Sequence, residues 1–154
     1  MLTEEIIITL KDLGYHKRVF SALMERMMND PDPLTMADFA IYYLQKPWPE
    51  AEPIIATEGV PAYRYARYAL KGPFPLGEPT IATNGRWAAS YASQVLHSRF
   101  KLGEPEMLKA HRADQMDDRA VINGYLLDIL EIGWGGVNTW NQTGELPEAA
   151  SYRQ

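Results

Sequence analysis

Residues 56–81, ATEGVPAYRYARYALKGPFPLGEPTI, run without a gap into residues 82–107, ATNGRWAASYASQVLHSRFKLGEPEM, and the two stretches agree at 12 of 26 positions. Unrelated segments of ordinary composition would agree at about one or two. The stretch before them, residues 30–55, agrees with 56–81 at 8 positions, including both prolines of Pro47-Trp48-Pro49 and Pro73-Phe74-Pro75. Glu-Pro marks the period at Glu52-Pro53, Glu78-Pro79 and Glu104-Pro105. The same offset links Ala40, Ala66 and Ala92, then Leu44, Leu70 and Leu96, then Trp48, Phe74 and Phe100. A fixed period of this size is the signature of a repeat architecture.

The middle copy shows what each repeat is built to do. From Pro61 to Leu70, the small or apolar residues 62, 65, 66, 69 and 70 fall on one face at helical spacing, and proline sits near the first turn. Lys71-Gly72-Pro73-Phe74-Pro75 stops that helix, with glycine expected to supply the terminating conformation and proline unable to extend the hydrogen-bond ladder. Phe74 is placed to plug the gap between repeats. Glu78-Pro79 opens a second, short helix, with a carboxylate beside its positive end and proline at its first position. A helix–turn–short-helix repeat cannot bury its apolar face alone, so neighbours must stack.

The sequence therefore predicts an all-α chain, a short α-solenoid with helical caps at both ends, in one domain spanning residues 1–154. The N-terminal cap covers residues 1–29, with helices over 3–13, closed by Gly14, and over 15–29, with Val19, Phe20, Leu23, Met24, Met27 and Met28 inward. Three repeats fill residues 30–107. A C-terminal cap helix lies within 108–132, where Val121, Ile122, Tyr125, Leu126 and Ile129 keep helical spacing over 116–132. Residues 133–154, opening with Gly133-Trp134-Gly135-Gly136, read as an irregular tail strapped down by Trp134 and Trp140.

The pattern Ala-x2-Tyr-Ala-x2-Val-Leu-x2-Arg-Phe-x-Leu-Gly-Glu-Pro of residues 88–105 resembles a short helical repeat of uncharacterised bacterial and phage-encoded proteins. It is similar in plan to variant leucine-rich and HEAT-like α-repeats. The resemblance covers about residues 36–107 and implies a scaffold, with no shared catalytic residues. It also implies a phage-encoded origin and action on a host or defence protein.

Composition narrows the function classes. No run of about 18 apolar residues is present, so no segment reads as a membrane span, and the acidic start MLTEEIIITLKDLG does not read as a secretory signal. A cytoplasmic location is expected. The absence of cysteine removes disulfides, thiolate nucleophiles and cysteine-based zinc sites. The net charge of −5 is segregated: residues 1–60 sum to −5, residues 61–101 to +5 and residues 102–154 to −5. A basic centre between acidic ends can draw an anionic partner locally. It also permits antiparallel self-association.

Positions that recur between repeats serve stacking; positions that vary are free for something else. The variable rows are Asp38, Arg64 and Ser90; Ile41, Arg67 and Ser93; Tyr42, Tyr68 and Gln94; Gln45, Lys71 and His97. With helices about 8–10 Å apart each row is a stripe. The candidate binding residues are Tyr63, Arg64, Arg67, Tyr68 and Lys71, extended by Tyr42, Gln94 and His97. Arginine grips carboxylate or phosphate bidentately and tyrosine stacks or donates, which suits a protein interface first and nucleic acid or nucleotide second. Six basic residues in the central block are few for sequence-independent nucleic-acid binding. A plain solvated face is the competing explanation.

Catalytic arrangements are sparse. His111, Asp114 and Asp118, at i, i+3 and i+7, could share a helix face and offer a metal or proton site. The three Glu-Pro glutamates read as helix-start charges, because stacked repeats hold them too far apart for one metal ion. No His-Glu-x2-His, phosphate loop or Gly-x-Ser-x-Gly occurs. The expectation is a non-enzymatic adaptor or inhibitor, without cofactor or metal, that binds a protein.

Overall fold

The computed structural model describes residues 17–147, and among these residues every regular element is helical. The chain divides into two compact units, Met1–Gly77 and Glu78–Gln154. The cap helix expected over residues 3–13 lies outside the described residues.

In the first unit α1 spans Lys17–Asn29 and buries Phe20 and Met27, while Leu23 and Met24 are half-buried and Met28 is exposed. Helix α2, Pro33–Asp38, starts where Asp32 accepts the Thr35 N–H at 2.8 Å and proline fills the first position. It continues into a π turn, Phe39–Leu44. A 3-10 turn, Pro49–Ala51, leads to α3, Glu52–Ile55. Helix α4, Gly59–Tyr65, packs on α2 and ends in a second π turn, Ala66–Leu70. Pro61, Ala62, Tyr63, Tyr65, Ala66 and Ala69 are buried, so the apolar face read from the sequence is the buried face.

The second unit repeats this plan. Helix α5, Glu78–Ile81, precedes α6, Gly85–Tyr91, which Asn84 caps by accepting the Trp87 N–H, and a π turn, Ala92–Leu96, ends it. A 3-10 turn, Lys101–Gly103, then opens α7, Glu104–Arg112. Helix α8, Met116–Gly124, packs on α6 and α7 and closes in the π turn Tyr125–Ile129. The aromatic plugs Trp48, Phe74 and Phe100 are buried at 2%, 2% and 5% exposure. Each packs on the aromatic ring nine positions before it, Phe39, Tyr65 or Tyr91, at 5.2–5.6 Å between centroids.

Three features depart from the sequence reading. First, Lys71 and not Gly72 takes the left-handed conformation, at φ 54°, as do Gln45 at 52° and His97 at 50°. The π turn shifts the closure by one residue: the N–H of Gly72 reaches the carbonyl of Ala66, six residues back, where an ordinary helix end reaches five. Second, residues 133–143 are not irregular but form α9, Gly133–Thr143. Its Val137 and Trp140 are buried and hold it to α7 and the last π turn, whereas Trp134 is 62% exposed. Third, α8 is more than a cap. Tyr125 stands where Tyr65 and Tyr91 stand, the left-handed residue again follows six positions on, at Glu131, and the Ile132 N–H again reaches back six residues, to Leu126. It is a fourth copy of the repeat helix. The period slips from 26 to 34 largely because α7 has nine residues where α3 and α5 have four.

Close approach sets one glycine. A Cβ on Gly85 would lie 2.8 Å from both the Glu106 carbonyl carbon and the Met107 Cα, which are main-chain atoms that cannot swing aside. Gly85→Ala is therefore expected to destabilise the fold by about 1–3 kcal/mol, read as a lower denaturant midpoint. Gly72→Ala is the contrast, since the nearest atom is 4.0 Å away and its φ is not positive. That variant is expected to match or slightly exceed wild type.

Candidate protein-binding face

The outer side of α4 and its π turn carries the variable residues singled out by the sequence, and its neighbour is α2 with its own π turn. Within the first unit the two repeats sit in register. Arg64 Nη2 lies 2.8 Å from the Asp38 carboxylate and donates to the Tyr42 hydroxyl at 3.1 Å, and both partners come from the preceding repeat. Arg64 thus joins two repeats. Its charge is already matched by Asp38, which lowers what it can offer to a partner.

Arg67 is arranged differently. Its Nη1 donates to the Tyr63 hydroxyl at 2.9 Å, and its guanidinium carbon stands 4.9 Å from the centre of the Tyr68 ring. Tyr63 is buried at 4% exposure. Burial raises its pKa, and the Arg67 hydrogen bond and charge pull the other way. At neutral pH the hydroxyl is therefore a neutral acceptor that fixes the guanidinium. Tyr68 is 47% exposed, and Lys71 is exposed at the end of the π turn. Tyr63, Arg64, Arg67 and Tyr68 are thus brought together on one helix, with Tyr42 beside them. Gln94 and His97 are exposed at the matching positions of the next repeat, in the second unit.

The other constellations resolve into structural contacts. His111 is buried between Asn141 Oδ1, 3.2 Å from Nδ1, and Asn123 Oδ1, 2.9 Å from Nε2, with Trp140 edge-on at 5.6 Å. Asp114 accepts from Arg119, and Asp118 pairs with Arg86 at 3.5 Å. These three residues do not converge, and among the described residues no three His, Asp or Glu side chains are placed to hold a metal ion. A cleft of about 210 Å³ in the second unit is lined by Asn84, Gly85, Glu106, Lys109, Gln115 and Asp118 among others. Its opposed charges pair locally, as Lys109 does with Glu106 at 3.4 Å.

The Glu-Pro glutamates have a role that the sequence did not reveal. Tyr65, Tyr91 and Tyr125 each donate a hydroxyl hydrogen bond of 2.9 Å to Glu52, Glu78 and Glu104 respectively. The hydroxyl of Tyr65 also accepts the Trp48 N–H at 2.7 Å, and that of Tyr125 accepts the Phe100 N–H at 3.2 Å. Glu104 additionally takes a bidentate hydrogen bond from Arg99, at 2.7 and 2.9 Å. The available signal was the constant spacing of 13 residues from Glu52 to Tyr65 and from Glu78 to Tyr91.

No protein-family model matches this chain, and no curated protein and no solved structure matches it.

The clasps carry a pH signature. The pKa values of Tyr65 and Tyr125 lie far above the ordinary tyrosine range, chiefly because burial disfavours the phenolate. The adjacent carboxylates add to the shift, and the N–H groups of Trp48 and Phe100 oppose it. A folded pKa above the unfolded value of about 10 gives stabilisation that is complete below that pH and lost as the pH rises past it. Denaturant midpoints are expected to hold steady from about pH 7 to 9 and to fall between about pH 10 and 11. The Tyr65→Phe, Tyr125→Phe double variant should start lower, by about 1–3 kcal/mol for each lost hydroxyl, and fall less steeply.

Proposed function

We propose that this protein is a non-catalytic helical-repeat adaptor or inhibitor that binds another protein through the outer face of α4. The observation that carries the proposal is the Arg67–Tyr68 pair: an arginine fixed by a buried hydroxyl, lying over a half-exposed tyrosine ring. Arginine and tyrosine dominate the energetics of protein interfaces, and a side chain held in place before binding loses less entropy on binding. Lys71 extends the face at its open end, and Arg64 and Tyr42 support it from beneath.

The proposal includes an α-solenoid architecture, supported by the 26-residue period and by the recurrence of the tyrosine–glutamate clasp inside each compact unit. The resemblance of residues 88–105 to repeats of bacterial and phage-encoded proteins supports a host or defence protein as the target. A cytoplasmic location goes with that target. It accords with the finding that no helix of the described residues is long and apolar enough to cross a membrane.

Arg64→Glu would set a carboxylate against Asp38 and weaken the fold itself, so the informative variant leaves Arg64 in place. In nuclease-treated lysate, a protein retained by wild type is expected to be lost by the Arg67→Glu, Tyr68→Ala variant. The same loss should recur with both proteins purified. Recovery of nucleic acid alone when nuclease is omitted, with no protein retained, would replace this reading by nucleic-acid binding through the same face.

A further inference from the structure

Resting on the binding face proposed above, we infer that its partner presents a carboxylate-rich peptide segment, received by Arg67 and Lys71 with Lys46 at the same edge. The inference comes from which cations of the molecule are spent and which are not. Arg86 pairs with Asp118, Arg99 with Glu104 and Arg119 with Asp114, while Arg112 donates to the carbonyls of Asn141 and Gln142. Arg64 pairs with Asp38. Arg67 has no carboxylate or carbonyl partner among the described residues, yet it is fixed by Tyr63 and Tyr68. A guanidinium held in place without an anion is a preorganised receptor for one.

Its surroundings reinforce the point. Lys71 ends the π turn of α4 and Lys46 follows Gln45 at the end of the π turn after α2, and these two turns pack on each other. Both lysines are exposed and neither is in an ion pair among the described residues. Three carboxylates of this unit are occupied elsewhere, since Asp32 caps α2, Asp38 takes Arg64 and Glu52 takes Tyr65, and among the described residues none of Glu25, Asp30, Glu50 and Glu58 is in an ion pair with either lysine. Tyr68 supplies a half-exposed aromatic side chain beside Arg67.

A protein carboxylate fits this patch better than a polyphosphate backbone. Three cations match a short acidic segment of a protein, whereas sequence-independent binding to a nucleic-acid backbone draws on many more phosphate contacts.

The test uses the full chain and a fluorescently labelled decaglutamate peptide, with an oligothymidylate of equal charge as the competing probe. Decaglutamate is expected to bind at low ionic strength, and to bind roughly tenfold more weakly in Arg67→Gln and in Lys71→Gln. Arg26→Gln, which removes an exposed arginine of α1 that is in no ion pair among the described residues, is expected to leave the affinity unchanged. Circular dichroism confirms that each variant is folded. Three results would overturn the inference: no binding by wild type, equal weakening by Arg26→Gln and Arg67→Gln, or tighter binding of oligothymidylate lost through the same residues. If a lysate protein still depends on Tyr68 while decaglutamate does not bind, the binding face stands and only the acidic character of its partner falls.

Discussion

A buried tyrosine hydroxyl, donating to a glutamate and accepting a main-chain N–H, is the interaction on which the repeats depend. A short repeat has little apolar surface of its own, so burial can bring neighbours together without fixing how far one slides along the next. The clasp fixes it. Tyr65 touches both Glu52 and the N–H of Trp48, and can do so only if its helix stands in one register against the preceding turn. The turn is then locked with its plug inward, because Trp48 is tied through its own N–H. Removing the hydroxyl would leave a buried N–H and a carboxylate each short of a partner, a larger penalty than the bond's net worth.

The helix ends follow from the same arrangement. Each repeat helix loosens into a π turn at, or one residue after, the position held by Phe39, Tyr65, Tyr91 and Tyr125, and a non-glycine residue in the left-handed region follows, a conformation that disfavours ordinary side chains by roughly 1–2 kcal/mol. Glycine would be easier there. Its replacement by Gln45, Lys71, His97 and Glu131 keeps a polar side chain projecting at the rim of every repeat helix. At Lys71 that side chain extends the proposed binding face.

Much of this was legible in the sequence, because identity at a fixed spacing survives wherever contacts recur. The buried Ala66, Ala92, Tyr65 and Tyr91 and the plugs at 48, 74 and 100 all came from the period. The fourth repeat escaped because its only strong markers, Tyr125 and Leu130, are displaced by the longer α7, and a search at constant spacing passes over them. Helix α9 escaped for another reason. Four residues of Gly133-Trp134-Gly135-Gly136 suggest a turn, whereas the burial of Val137 and Trp140 outweighs the poor helix propensity of three glycines. At the candidate face, Asp38 and Arg64 stood in one row of variable positions, and the packing of α2 on α4 makes them an ion pair. Tyr63, a candidate binding residue, is instead buried, and since it belongs to none of the variable rows their spacing carried no signal of this.

Phe39 occupies the place that Tyr65 and Tyr91 hold in the following repeats, and thirteen residues before it stands Arg26 in place of a glutamate. With no carboxylate behind it, the first repeat has no use for a hydroxyl. The second and third repeats each carry two half-fasteners, a tyrosine that closes on what came before and a glutamate that awaits what comes after, while the fourth closes the series with Tyr125. Such an array can grow or shrink by whole repeats without leaving either half unmatched, while a partial duplication strands one. Gain of a full repeat thereby keeps every tyrosine matched to a glutamate, and the longer span from Glu104 to Tyr125 shows the same match kept at a different spacing.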